Sequence, residues 1–185
     1  MRTVRMALGL TLALVTMLLP AARPALAATA AEIDREVTAA LSRLYQVHPE
    51  AKALSKDARG ILVFPSIVKA GFMFGAQYGE GAMRSPQGKK MGYYNTVAAS
   101  YGFQAGAQKF GYALFFMKDS AIKYLEESGG FELGSGPSIV VVDTGTAKSL
   151  STSTARSDIY AMFFDQKGLM GGLGLQGTKI SRIQK

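Results

Sequence analysis

Between Ala31 and Val47 the apolar residues Ile33, Val37, Ala40, Leu41 and Leu44 recur at helical spacing, and Glu32, Asp34, Glu36, Ser42 and Arg43 fill the opposite side. Acids crowd the first turn, where they complement the helix dipole, and Pro49 marks the end. Pro49 in turn suits the first turn of a short second helix carrying Ala51, Leu54 and Ala58. The stripe lacks the Lys/Arg-rich polar face and bulky aromatics of a helix that lies on a membrane. It is expected to pack on the domain core.

After Gly60 the period changes from helical to two. Ile61-Leu62-Val63-Phe64 reads as a short strand stopped by Pro65. Phe72, Phe74, Ala76 and Tyr78 then alternate with Gly71, Met73, Gly75, Gln77 and Gly79, which makes one face aromatic and the other nearly bare. Tyr101, Phe103, Ala105 and Ala107 repeat the alternation with Gly102, Gln104, Gly106 and Gln108. The pattern leaves open whether the aromatic face builds the core or meets a ligand. Ser85-Pro86-Gln87-Gly88 is the expected turn of the first glycine-rich hairpin.

Asp119 is placed to cap a helix holding Ala121, Ile122, Tyr124 and Leu125, ended by Gly129-Gly130. Ser138 to Val142 reads as a buried strand. Ile159–Phe164 and Leu169–Leu175 read as a pair turned at Gln166-Lys167-Gly168, and Thr144 to Ser157 as a connecting loop or irregular edge. The expected fold is one β-rich α+β domain with a curved antiparallel sheet or partly closed barrel, an N-terminal helical segment and one mid-chain helix.

The start of the chain reads as an address. Arg2 and Arg5 precede an uncharged, mostly apolar run from Met6 to Leu19, broken by Pro20 and followed by the small-x-small pattern Ala25-Leu26-Ala27. Residues 1–27 are therefore expected to be a signal peptide, with Ala28-Thr29-Ala30 offering a second cleavage position, and 28–185 the mature domain. Without cysteine there is no lipidation site of a lipoprotein, no disulfide and no thiolate metal site. The expected location is exported: periplasmic, envelope-associated or secreted. Across the 185 residues, 21 Lys and Arg face 13 Asp and Glu, a formal charge of +8. The predicted cut removes Arg2, Arg5 and Arg23, leaving 18 − 13 = +5. That modest excess suits anionic partners such as lipid headgroups or phosphorylated sugars, or simple solubility, and falls short of a nucleic-acid tail.

Catalytic motifs are weak. Asp143-Thr144-Gly145 matches the aspartic-protease triplet, but that chemistry needs two aspartates sharing a proton, so a single copy would work only in a symmetric dimer. A turn in which Asp143 bonds its own backbone is the expected role. Gly172 to Gly177 has dinucleotide-fingerprint spacing without room for the helix that would face a pyrophosphate. Ser66-Ile67-Val68-Lys69 has the spacing of penicillin-interacting serine enzymes without their Lys-Thr-Gly element. A single histidine, His48, cannot furnish a catalytic zinc site and suits a helix end. Glu126 and Glu127 point apart on successive helix positions. No catalytic residue and no cofactor are expected.

Several spaced blocks together are more specific than any one motif. Ala58 to Pro65, Lys69-Ala70-Gly71-Phe72 and Gly75 to Gly81 resemble the opening of the SYLF lipid-binding domain. Tyr93-Tyr94-Asn95-Thr96, Gly102 to Gly106 and Gly168 to Gly177 are similar to its later blocks in the same order, so the likeness runs from about Leu41 to Ile183. It is closest to the exported bacterial branch, whose members are often described as actin-binding. The resemblance implies a non-enzymatic domain associated with phospholipid or a membrane surface. Export would keep the chain from cytoskeletal actin. Lys69, Arg84, Lys89 and Lys90 around the first hairpin, with Lys179, Arg182 and Lys185 near the end, are the candidate headgroup contacts. A structural or protein-interaction module of the envelope, pairing through sheet edges, is the second expectation.

Overall fold

The computed structural model describes residues 27–128, 131–132, 136–142, 157–168 and 177–185. In chain order the elements are α1 (Ala30–Val47), α2 (Pro49–Asp57), β1 (Gly60–Arg84), β2 (Lys90–Phe116), α3 (Asp119–Glu127), β3 (Phe131–Glu132), β4 (Ile139–Val142), β5 (Ile159–Gly168) and β6 (Thr178–Ile183). Both N-terminal helices stand where the spacing placed them. Ile33, Val37, Ala40 and Leu44 are the buried stripe of α1, and Pro49 opens α2. At the start of α1, Thr29 and Glu32 form a reciprocal capping box that satisfies two otherwise orphaned amides.

β1 and β2 form one long antiparallel hairpin, with Gly60 opposite Phe116 at the open end and Arg84 opposite Lys90 at the turn. The turn lies where the sequence placed it: the Gly88 amide donates to the Ser85 carbonyl at 2.8 Å, and Gly88 takes φ +84°. Pro65 does not stop the strand as expected. Pro65 and Ser66 sit in a bulge between the Phe64 and Ile67 pairings, and among the described residues β1 has only β2 as a neighbour, so the missing amide breaks no ladder bond there.

A ribbon this long cannot stay straight in a small domain, and β1 folds back on itself. A Cβ at Gly79 would lie 2.6 Å from Ile67 Cγ1 and 3.0 Å from the Ser66 carbonyl oxygen. Gly81 faces the Val63 backbone in the same way, and Gly71 faces Phe74 and Gly75. Glycine is required at these positions because one half of the strand touches the other. The outer edges of β2 carry the rest: β5 pairs with its C-terminal half and β6 with its N-terminal half, both antiparallel, and β3 adds to β6.

β4 joins β5 in parallel, so the sheet is mixed rather than wholly antiparallel. From Val142 to Ile159 there are 159 − 142 − 1 = 16 intervening residues, enough for the crossover that a parallel pair needs. Among the described residues β4 is an edge strand, and Val140 and Val141 are exposed, so it is not the buried strand expected. β5 runs on through the predicted turn to Gly168, with Asp165 (φ +53°) and Gly168 (φ +101°) absorbing the irregularity. Asp119 lies inside the first turn of α3 rather than capping it; Lys118 holds the cap position without a side-chain bond. The Asp143 triplet, the Thr144–Arg156 part of the predicted loop, the Leu169–Leu175 strand and most of Gly172–Gly177 lie outside the described residues, as does nearly all of the predicted signal segment.

The result is a β-rich α+β half-barrel with three helices among the described residues. One apolar cluster lies between α1, α2 and the outer sheet face, through Ile33, Val37, Leu44, Val63, Phe115 and Tyr160. The other lies on the inner face with α3, through Phe64, Tyr94, Tyr112, Phe116, Ile122 and Phe131.

Candidate functional site

Residues directly opposite in an antiparallel ladder share a face, so the register sorts the side chains of the folded hairpin. The outer face, covered by α1 and α2 at both ends of the ribbon, continues over the middle as an arch that none of the described helices covers. There Val68, Ala70, Phe74, Ala76 and Tyr78 of β1 lie beside Val97, Ala99 and Ala107 of β2, all exposed. Phe74 is 69% exposed and Tyr78 51%. The nearly bare face of the glycine pattern is the inner one, where Gln77 and Gln108 are buried. The glycines face inward because the strand closes on itself, and the aromatics are therefore turned out.

Lysines rim this apolar strip on the same face. Val68 pairs with Lys109, which pairs with Lys167. Tyr78 pairs with Val97, which pairs with Lys179. Tyr78 also donates to Glu80 at 2.8 Å; loss of water, then the Glu80 carboxylate, pushes its hydroxyl up to about 12. Glu80 is held in turn by Lys185 Nζ at 3.0 Å, which also donates to the Ala28 carbonyl at 2.8 Å. The arch therefore has a wet aromatic tip on Tyr78 and a fixed ionic tie behind it.

The predicted basic set divides. Arg84 donates to Thr38 Oγ1 and to the Asp34 carbonyl, both at 2.7 Å, and Lys90 Nζ lies 3.0 Å from Asp34 Oδ2. Tyr93 donates to the same carboxylate oxygen at 2.9 Å. Burial pushes the Asp34 carboxyl up, but hydrogen bonds from Lys90 and Tyr93, together with the Lys90 and Arg84 charges, hold it below the usual range. Arg84 and Lys90 thus latch the hairpin turn to α1, and Lys89 alone of that turn is an exposed cation with no ion pair among the described residues. Lys69 is not with them; it lies half-buried opposite Gln108. Arg182 engages Glu126 at 3.5 Å and the Met91 carbonyl at 3.3 Å. Of the named set, Lys179 is the one placed beside the apolar strip.

Sequence reasoning missed Lys109 and Lys167, because only the register shows that they flank Val68. Inside the fold, Thr96 and Tyr112 share a buried hydrogen bond of 2.8 Å. Glu126 and Glu127 do point apart, to Arg182 and Lys123, and His48 meets Glu50 at the junction of α1 and α2. No group of three or more metal-ligating side chains is assembled among the described residues. No helix among them is long and apolar enough to cross a membrane.

Residues 97–185 match the family model described as Ysc84, Las17-binding protein actin regulator. That stretch takes in most of β2 and all of β3 to β6, including Lys109, Lys167 and Lys179. No curated protein matches the chain. From Val97 to Lys185 the chain thus matches the model of the Ysc84 (SYLF) family, a family of binding domains, which is the family that the spaced sequence blocks resemble.

Proposed function

We propose that the protein is a non-enzymatic binding domain that docks on an anionic lipid surface through the outer face of its hairpin arch. Export by the segment before Ala28 places that surface in the cell envelope. The observation that carries the reading is the arch itself: an apolar strip with two aromatics, rimmed on the same face by Lys109, Lys167 and Lys179. Aromatics enter the headgroup boundary while lysine stems lie along apolar surface and keep their charges at the phosphates. Each lysine adds about 1 kcal/mol at an anionic surface, an attraction that salt reduces.

The alternative, an envelope protein-interaction module, draws on the exposed β4 edge with Val140 and Val141. Cosedimentation separates the two. Phe74→Ser combined with Val97→Ser should lose most binding to vesicles containing phosphatidylglycerol, with the unfolding midpoint unchanged. Pure phosphatidylcholine vesicles should bind weakly throughout. Equal binding by variant and wild type would overturn the arch, and no binding by wild type would leave the protein-partner reading, actin filaments included.

A further inference from the structure

A cleft of about 400 Å³ opens between α1 and the sheet, where two irregularities coincide. The Pro65–Ser66 bulge of β1 forms one wall, and the break in the β2–β5 ladder between Lys109 and Gly111 forms another. Bulges re-aim side chains, and here they converge charges. Arg43 reaches in from α1, Lys109 and Lys167 from the sheet, and the acids at the lining are Asp165 and Glu36. Three cations against two acids leave 3 − 2 = +1.

The arrangement is unfavourable without a further anion. Lys109 and Lys167 are direct cross-strand partners on one face, and like charges so placed repel. Neither has a carboxylate at ion-pair distance among the described residues. The one engaged acid, Asp165, puts a single oxygen on Arg43, 2.9 Å from Nη2 and 3.0 Å from Nε. It does so from φ +53°, a backbone conformation that a non-glycine residue adopts at a cost. Strain at Asp165 and repulsion between the lysines meet in one place.

We propose that this cleft binds a phosphate ester, the headgroup of a phospholipid lying on the arch, and that Asp165 is the built-in anion it displaces from Arg43. The inference rests on the lipid reading above for the source of the phosphate, and on the cleft alone for its chemistry. Val68, the strand neighbour of Lys109, joins the cleft to the apolar strip, so a headgroup here leaves its acyl chains beside Phe74. Arginine and two lysines suit the oxygens of a phosphate better than the single carboxylate present.

The test is an NMR titration of the full mature chain with glycerol phosphate, beside cosedimentation with phosphatidylglycerol vesicles. Saturable shifts at Lys109, Asp165 and Lys167 are expected in the wild type. Asp165→Asn, which keeps a residue tolerant of positive φ, should tighten binding by about threefold or more because the competing charge is gone. Lys109→Gln with Lys167→Gln should weaken it by about tenfold or more, while Lys52→Gln with Lys56→Gln, the same charge loss on α2, should not change it. No saturable shift in the wild type, no gain from Asp165→Asn, or wild-type affinity in the Lys109/Lys167 variant would each overturn the cleft. If vesicles nevertheless bind through the arch, the failure belongs to the cleft alone. Saturable phosphate binding with no vesicle binding would overturn the lipid assignment and leave a site for soluble phosphate esters.

Discussion

The two ends of the β1–β2 hairpin and its arch carry the same kind of outer face with opposite fates. At the ends, Ile61, Val63, Ala82, Tyr93, Ala113 and Phe115 are buried in the cluster under α1 and α2. Over the arch, the continuing face shows Val68, Phe74, Tyr78 and Val97 exposed. Side-chain chemistry does not separate the two regions; cover does. An 18-residue helix is about 27 Å long, whereas a 25-residue strand extends to about 80 Å, so α1 cannot roof the whole ribbon even when it is folded double. Alternation therefore identifies a face that wants an apolar neighbour without saying whether that neighbour belongs to the chain.

The sharpest way to break this comparison is to truncate one aromatic from each region. Phe115 is fully buried, and Phe115→Ala should cost about 3–5 kcal/mol through lost burial and the cavity left behind. Phe74→Ala should cost far less, about 1 kcal/mol or below, because its ring is 69% exposed. Urea unfolding of the two variants decides it. A large loss at Phe74 would make the arch part of the core and remove the ground for a docking face.

What was legible in the sequence follows the same division. The helices, the hairpin turn and the curved β-rich α+β class follow from local signals: the stripe from Ile33 to Leu44, Pro49, and Ser85 to Gly88. The capping box of Thr29 and Glu32 is equally local, yet the apolar spacing of α1 does not reveal it. Long-range placement was not. That the bare glycine face turns inward depends on Gly79 meeting Ile67, and that Lys109 faces Lys167 depends on a ladder break. Arg84 and Lys90 looked like free surface because nothing local shows that Asp34, on another element, lies against them.

That latch gives the second prediction. Asp34→Ala leaves Arg84, whose side chain is only 17% exposed, and Lys90 facing each other without their shared carboxylate, and it takes away the acceptor of the Tyr93 hydroxyl, which keeps only its bond from Lys90. The cost should be about 1–3 kcal/mol, seen as a lower urea midpoint and faster amide exchange in α1. Lys89→Glu, in the same turn but exposed, should stay within about 0.5 kcal/mol. Reversing Arg84, Lys89 and Lys90 together would thus unseat the covered end of the ribbon and says nothing clean about the surface. Equal effects of Asp34→Ala and Lys89→Glu would show that the turn is not latched at all.

The smallest expected effect is a pH dependence confined to the strand ends where β4 meets β5. Asp158 lies 2.6 Å from Lys118 Nζ through Oδ1, and its Oδ2 accepts from the Ser138 amide and hydroxyl, each at 2.8 Å. The Lys118 hydrogen bond first, then those from Ser138, hold the carboxyl down to about 2, against an ordinary value of 3.8. A carboxyl depressed on folding binds fewer protons in the native state, so its contribution is present above the unfolded value and disappears as pH falls from about 4 towards 2. Because the pair is partly exposed and screened, the amount is about 1 kcal/mol. Asp158→Asn should be less stable than wild type by that amount at neutral pH, and the two should converge near pH 2. A difference that persists unchanged to pH 2 would mean that the strand ends are held by packing, and that the covered region owes nothing to this charge.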